Sequence, residues 1–296
     1  VATGVSLGVD SFSTIIDQIG TDCSPSYRLT HFTYFNVGAH GDKNLDKVKE
    51  SYDNDFKLVD AYAKTKKIPV VAVESNISKL YEGFDFNQCA LIRNMSVVLS
   101  MQKLFRRYIY ASSFHIRDTS FSNKDMHYQS PFLLPALSTE TTELINGDPC
   151  LDRVNKTRKI ADFEDTYKYL YVCWKELIAN DGLNEDIAKV KDEFLNCTRC
   201  DKCLRTILTL DILGKKEKYH NIFDLKYYDK SKDLYVGKVI AYKRRETYYQ
   251  EIYQLMKETD FPITLKARIY TFMWTIYKVI GFGVNYRWLR KIVGKC

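Results

Sequence analysis

The chain has 296 residues, 45% of them hydrophobic, with eight cysteines and a net charge of +7. That length supports one large domain or two modest ones, and the apolar share is enough for a packed core, which excludes a disordered chain. The charge is unevenly placed: residues 204–296 hold 19 Lys/Arg and 9 Asp/Glu, whereas residues 1–203 hold 25 and 28, so the basic character belongs to the C-terminal third.

In chain order, Val1–Val5 reads as a short buried strand and Phe12–Ile19 as the first turns of a helix. With no leader pattern before that strand, a cytoplasmic location is expected; with no initiator Met, further residues are expected upstream. Between strand and helix lies a tight polar turn, Ser6-Leu7-Gly8-Val9-Asp10-Ser11. A strand that feeds a helix through such a turn aims several backbone N–H groups at one point, with the positive end of the helix dipole behind them, which is a phosphate cradle. The Gly-x-x-x-x-Gly-Lys-Ser/Thr pattern of the common nucleotide-binding loop is absent.

Leu29–Val37 reads as a second strand, residues 43–66 as a charged amphipathic helix, Ile68–Glu74 as a third strand, Leu91–Phe105 as a helix and Tyr108–Ser113 as a fourth strand. Strands alternating with helices predict an α/β fold with a doubly wound parallel sheet, whose ligands bind beyond the carboxyl ends of the strands. Arg93 and Asn94 fall at the opening of the helix before strand four, where Arg93 is suited to fork onto a phosphate or carboxylate. Residues 117–137 read as a loop with Pro131 and Pro135, and Leu137–Ile145 as the start of a helix capped by Ser138 or Thr139. Asp152-Arg153-Val-Asn-Lys156-Thr157 reads equally as a capped helix with a charged face or as a segment approaching phosphates.

Cys197, Cys200 and Cys203 follow at i, i+3 and i+6. Three thiols at that spacing converge on one ion, and a fourth completes a tetrahedron. Cys173 is the expected fourth ligand and zinc the expected ion, with Cys150 as the rival ligand, an iron–sulfur cluster as the rival centre, and helix-facing thiols with no ion as the remaining alternative. Cys23, Cys89 and Cys296 look incidental. Three segments are therefore expected: 1–160 as an α/β domain bearing the phosphate cradle, 161–225 as a cysteine-rich helical subdomain, and 226–296 as a basic helical tail. The apolar run of the tail is short and interrupted by Lys278, so no membrane span is expected. Packing on the core or on a second subunit of a homodimer competes with lying on an anionic membrane surface. No nucleic-acid motif supports a third option, contact with nucleic acid.

Ser6, Gly8, Asp10 and Ser11 resemble the Ser-Gly-Gly-x-Asp-Ser loop of the PP-loop ATP pyrophosphatases, with Leu7 standing where that family usually has Gly. The Asn-Cys-x-x-Cys-x-x-Cys-Leu-Arg-Thr run at Asn196–Thr206, the earlier Cys173, the Arg93-Asn94 pair and the Arg153-x-x-Lys156-Thr157 segment are similar to those of 7-cyano-7-deazaguanine synthases and their synthase-like relatives. The resemblance covers roughly residues 1–225 and implies the adenine nucleotide alpha hydrolase-like fold. It implies a carbon–nitrogen ligase that uses ATP and Mg2+ and carries Zn2+. A carboxylate or carbonyl oxygen of a small-molecule substrate attacks the α-phosphorus, pyrophosphate leaves, and ammonia displaces AMP. It implies ATP-binding roles for Ser6, Leu7, Gly8, Val9, Asp10, Ser11, Asn94 and Lys156 and catalytic roles for Asp10, Ser11 and Arg93, with Arg205 as a further countercharge. The departures keep two alternatives open: a nucleotide- or partner-binding module without turnover, and a sulfur-transferring PP-loop enzyme with an iron–sulfur cluster.

Overall fold

A computed structural model describes residues 1–41, 45–121, 124–173 and 193–280; the charged stretch between Cys173 and Cys197 lies mostly outside these, as do Cys296 and the end of the basic tail. The described residues form two compact units, Val1–Tyr171 and a second that takes in Val172, Cys173 and residues 193–280.

The first unit is built on strands β1 (Ala2–Gly4), β2 (His31–Asn36), β3 (Val70–Glu74), β4 (Arg107–Ala111) and β5 (Glu143–Gly147). All pairings are parallel and the order is β3-β2-β1-β4-β5. The chain moves outward from β1 to β3, then returns to lay β4 on the other side of β1. The strand order therefore reverses between β1 and β4, the place where open parallel sheets leave a crevice at their carboxyl ends.

Helices cover both faces because successive strand side chains point to opposite sides. Phe35 of β2, with Ala2, Tyr108 and Leu144, packs on Leu91 and Met95 of α3 (Phe86–Ser100) and Leu134 of α4 (Ser130–Leu137). Phe32, of opposite parity, meets Tyr62 of α2 (Leu45–Lys66) at 5.9 Å, and Tyr62 meets Phe12 of α1 (Val9–Ile19) edge-on at 5.2 Å. Helix α5 (Arg153–Ile160) lies beside α1, pinned by Asp148, whose carboxylate accepts from Ser13 and from Lys159 at 2.8 Å.

Three expectations are corrected. The helix before β4 starts at Phe86, because Asp85 and Gln88 form a reciprocal cap there; Arg93 and Asn94 consequently sit in mid-helix and not at its opening. Residues 130–137 form α4 and not a loop, since Pro131 falls in the first turn, where a missing N–H costs nothing. Glu143–Gly147 is a strand and not a helix: the Ser138 hydroxyl closes α4 on Leu134 O (3.1 Å) and accepts from Leu144 N (2.9 Å), and the Arg107–Glu143 ion pair (2.7 Å) locks β5 to β4.

The second unit contains α7 (Asp201–Ile212), α8 (Leu225–Tyr242), α9 (Thr247–Glu258) and α10 (Leu265–Ile280), following a single helical turn α6 (Thr166–Tyr169) at the end of the first unit. Helix α8 passes close to α10 at Gly237, where an added Cβ would lie 2.7 Å from Tyr270 Cβ and 2.8 Å from the Thr271 nitrogen. Backbone cannot step aside as a side-chain tip can. Gly237→Ala should therefore destabilise the chain by about 1–3 kcal/mol through overpacking, read as a lowered melting temperature. An unchanged melt would show that the two helices are not held at this spacing.

Candidate functional site

The turn after β1 is closed by its own hydroxyls. Ser11 Oγ donates to Gly4 O (3.1 Å) and accepts from Ser6 N (3.3 Å), while Gly8 N donates to Ser6 Oγ (3.4 Å). Ser11 is buried, so its hydroxyl shapes the loop from inside. Leu7 has φ of 56°, the left-handed conformation that glycine adopts freely and leucine adopts at a cost of about 1–2 kcal/mol. Its side chain is buried beneath the loop and its carbonyl accepts from Tyr171 N at 2.9 Å. The backbone thus keeps a glycine-like turn although the residue is leucine. Gly8, by contrast, has φ of −81°, which any residue adopts. It caps α1 without a side-chain hydrogen bond, and the N–H groups of Val9, Asp10 and Ser11 have no acceptor within the helix.

Charge converges on the same helix start. Asp10 lies 2.7 Å from Arg153 Nη2 and 3.5 Å from Lys156 Nζ. Arg153 and Lys156 are three residues apart on α5 and share a face, and Asp152 caps that helix by accepting from Asn155 N at 2.8 Å. Lys156 is 1% exposed; its ammonium also donates to Ser112 O and, at 2.9 Å, to Ser112 Oγ, just past the end of β4. Burial pushes the Lys156 ammonium below its ordinary value, against the pull of the Asp10 carboxylate. The turns after β1 and β4, and the start of α5, therefore meet where the strand order reverses.

Arg93 and Asn94 are not presented in the same way. Arg93 is fully buried; it donates to Val37 O (3.2 Å) and Cys89 Sγ (3.1 Å) and stacks its guanidinium on Tyr81 and Phe86. Asn94 turns back to its own helix, donating to Ala90 O at 2.7 Å. Ser112 and the chain Asp125–His127–Tyr110 escaped the sequence reading. His127 Nδ1 is 2.7 Å from Asp125 and its Nε2 is 3.0 Å from the Tyr110 hydroxyl on β4. The Asp-x-His spacing was the one signal for that chain.

In the second unit, the sulfurs of Cys173, Cys197, Cys200 and Cys203 lie within 4.8 Å of one another. Cys197 and Cys200 stand 3.8 and 3.4 Å from Cys203. Four thiolates around one ion at about 2.3 Å are separated by about 3.8 Å, so the set fits a single tetrahedral ion. Thr198, at φ of 55°, turns the chain so that Arg199 N and Cys200 N donate to Cys197 Sγ at 3.4 and 3.2 Å, and Cys197 N donates to Cys173 Sγ at 3.4 Å. Asn196 fixes the distant segment by accepting from Val172 N (2.9 Å). Cys200 caps α7, with Cys203 in its first turn, so the helix dipole favours thiolates there. The Cys173 thiol holds Cys197 well below the ordinary range, while burial pushes Cys203 well above it; without a cation this set does not release all its protons. Cys150 is exposed and belongs to the other unit, and Cys23 and Cys89 are likewise outside the cluster.

Comparison of the chain with protein-family models, with curated proteins and with solved structures finds no match.

The cysteine geometry makes a direct prediction. Protein purified without chelator should hold one zinc per chain; Cys173→Ser and Cys200→Ser should lose it and melt at lower temperature, because metal binding and folding share one free energy. Cys150→Ser should keep both metal and melt. Metal analysis and thermal scans of the three variants check this, and retention of zinc in Cys173→Ser would displace Cys173 from the ligand set.

Proposed function

We propose that the first unit binds ATP over Ser6–Ser11 and uses it to adenylate an oxygen of a small-molecule carboxylate or carbonyl, and that the second unit is held together by a structural zinc ion. The observation that carries the reading is the pair Arg153 and Lys156 at Asp10, beside the uncapped start of α1 and at the reversal of the strand order. Free N–H groups and two fixed cations suit a polyphosphate. The resemblance of Ser6-Leu-Gly-Val-Asp-Ser11 to the PP-loop narrows that polyphosphate to ATP.

In this reading the chain works by placement and charge, with no covalent nucleophile of its own. Backbone N–H groups of Val9–Ser11 receive phosphate oxygens. Lys156, already partly stripped of water, loses little more on meeting an anion, and Arg153 offers a guanidinium fork beside it. The substrate oxygen attacks the α-phosphorus, the bond to pyrophosphate breaks, and ammonia then displaces AMP to leave an amide. Mg2+, when bound, supplies further neutralisation of the phosphates, and Asp10 is the carboxylate placed to meet it. Arg93 has no direct role in this reading, since its guanidinium is held on Val37, Cys89 and two rings.

Two observations favour this reading over its rivals. The Leu7 side chain is buried, so it does not fill the cradle, as it would in a module that had lost its nucleotide and kept only a partner. A four-iron, four-sulfur cluster holds each thiolate on a different iron and a two-iron, two-sulfur cluster holds them in pairs on two irons; both spread the four cysteine sulfurs wider than a single ion does, so the tight sulfur set favours zinc over the sulfur-transfer alternative.

The test is AMP and pyrophosphate release from Mg·ATP and ammonia across a panel of carboxylates. A substrate should be found that yields AMP in proportion to product, and Lys156→Met and Asp10→Asn should each lower kcat/KM by about 100-fold or more. Variants that turn over at the parent rate would remove both residues from the site. ATP binding without AMP release on any substrate would convert the assignment to a nucleotide-binding module.

A further inference from the structure

Helix α10 leaves a row of apolar side chains uncovered. Its inner side packs on α8: Ala267 and Trp274 are buried, the Trp274 indole donates to Leu234 O (3.3 Å), and Lys278 Nζ donates to Ala241 O (3.2 Å). On the outer side Leu265, Ile269 and Phe272 are 76%, 53% and 66% exposed. They stand at i, i+4 and i+7, one face of a helix. At about 100° per residue, Lys266 and Arg268 fall on the two borders of that face, and both are exposed.

Helix α10 itself carries charge of one sign: Lys266, Arg268 and Lys278, with no Asp or Glu. Residues 261–296 hold seven Lys/Arg and no Asp or Glu. A surface that is apolar along its centre and cationic along both edges matches a phase that is apolar inside and anionic at its boundary. Nucleic acid meets the charge but offers no apolar phase to Leu265 and Ile269, whose aliphatic side chains do not stack on bases as aromatic rings do. No helix among the described residues is long and apolar enough to cross a membrane, so the contact lies in the surface plane.

We propose that α10 docks this chain on an anionic lipid surface, with Leu265, Ile269 and Phe272 inserted at the acyl boundary and Lys266 and Arg268 against the headgroup phosphates. The ammonium and guanidinium groups reach the headgroups while their stems stay beside the apolar stripe. Lys266 is already turned along the helix, with its Nζ 6.0 Å from the Tyr270 ring.

Sedimentation of the full chain with phosphatidylcholine vesicles, with and without phosphatidylserine, tests this. The chain should sediment with the phosphatidylserine vesicles, stay in solution with phosphatidylcholine alone, and be released progressively by salt. The double variant Ile269→Asp/Phe272→Asp should weaken partition by about tenfold or more, as should Lys266→Glu/Arg268→Glu. Both pairs are surface changes, so thermal melts should match the parent. Unchanged partition of the variants would place the contact elsewhere in the chain and overturn the proposal. So would retention of the parent by a single-stranded oligonucleotide with no vesicle binding.

Discussion

Lys156 is an ammonium with 1% of its surface exposed, and an ion so placed needs several compensating partners to remain charged. It finds them on two elements: the Ser112 carbonyl and hydroxyl just past the end of β4, and Asp10 in the first turn of α1. Those partners converge only if β4 lies next to β1 and α5 lies next to α1. The reversal of strand order that opens a crevice is thus also the arrangement that surrounds this cation, and the proposed chemistry depends on both.

A comparable convergence organises the second unit. Asp201, in the first turn of α7, accepts from the hydroxyls of Tyr235 on α8 (3.1 Å) and Tyr249 on α9 and from Lys238 on α8 (2.9 Å). Burial pushes its carboxyl up, but the Lys238 ammonium and the Tyr249 hydroxyl outweigh burial and hold it below the ordinary range. Its two sequence neighbours on one side and the other are the cluster residue Cys200 and Lys202. The helix start that brings two thiols to the four-cysteine cluster therefore also receives the polar contacts of the next two helices. Loss of the ion should loosen a joint shared by three helices.

Local pattern carried the first strand, the polar turn and the first helix, because an apolar run, a Ser/Gly/Asp turn and a helical repeat are adjacent in sequence. It carried the cysteines at i, i+3 and i+6 for the same reason. Features set by distant partners were not legible. Arg93 reads as a guanidinium free to fork onto a phosphate or carboxylate, yet its acceptor at Val37 is 56 positions away. The burial of Lys156 depends on Ser112, 44 positions earlier. Strand β5 was hidden by Ser138-Thr-Glu140, which imitates a helix cap; its identity as a strand comes from pairing with β4. Leu7 departs from the Ser-Gly-Gly-x-Asp-Ser pattern, and only the backbone angle shows that the turn is kept.

The claim on which the rest turns is that the start of α1 receives the phosphates of ATP. Hydrogen exchange measured by mass spectrometry on the full chain, with and without Mg·ATP, tests it without needing to know the substrate. The account predicts slowed exchange concentrated in the peptides spanning Ser6–Phe12 and Asp152–Thr157, with the four-cysteine segment unchanged. Exchange that ATP leaves unaltered at Ser6–Phe12, or slows only elsewhere in the chain, would contradict it.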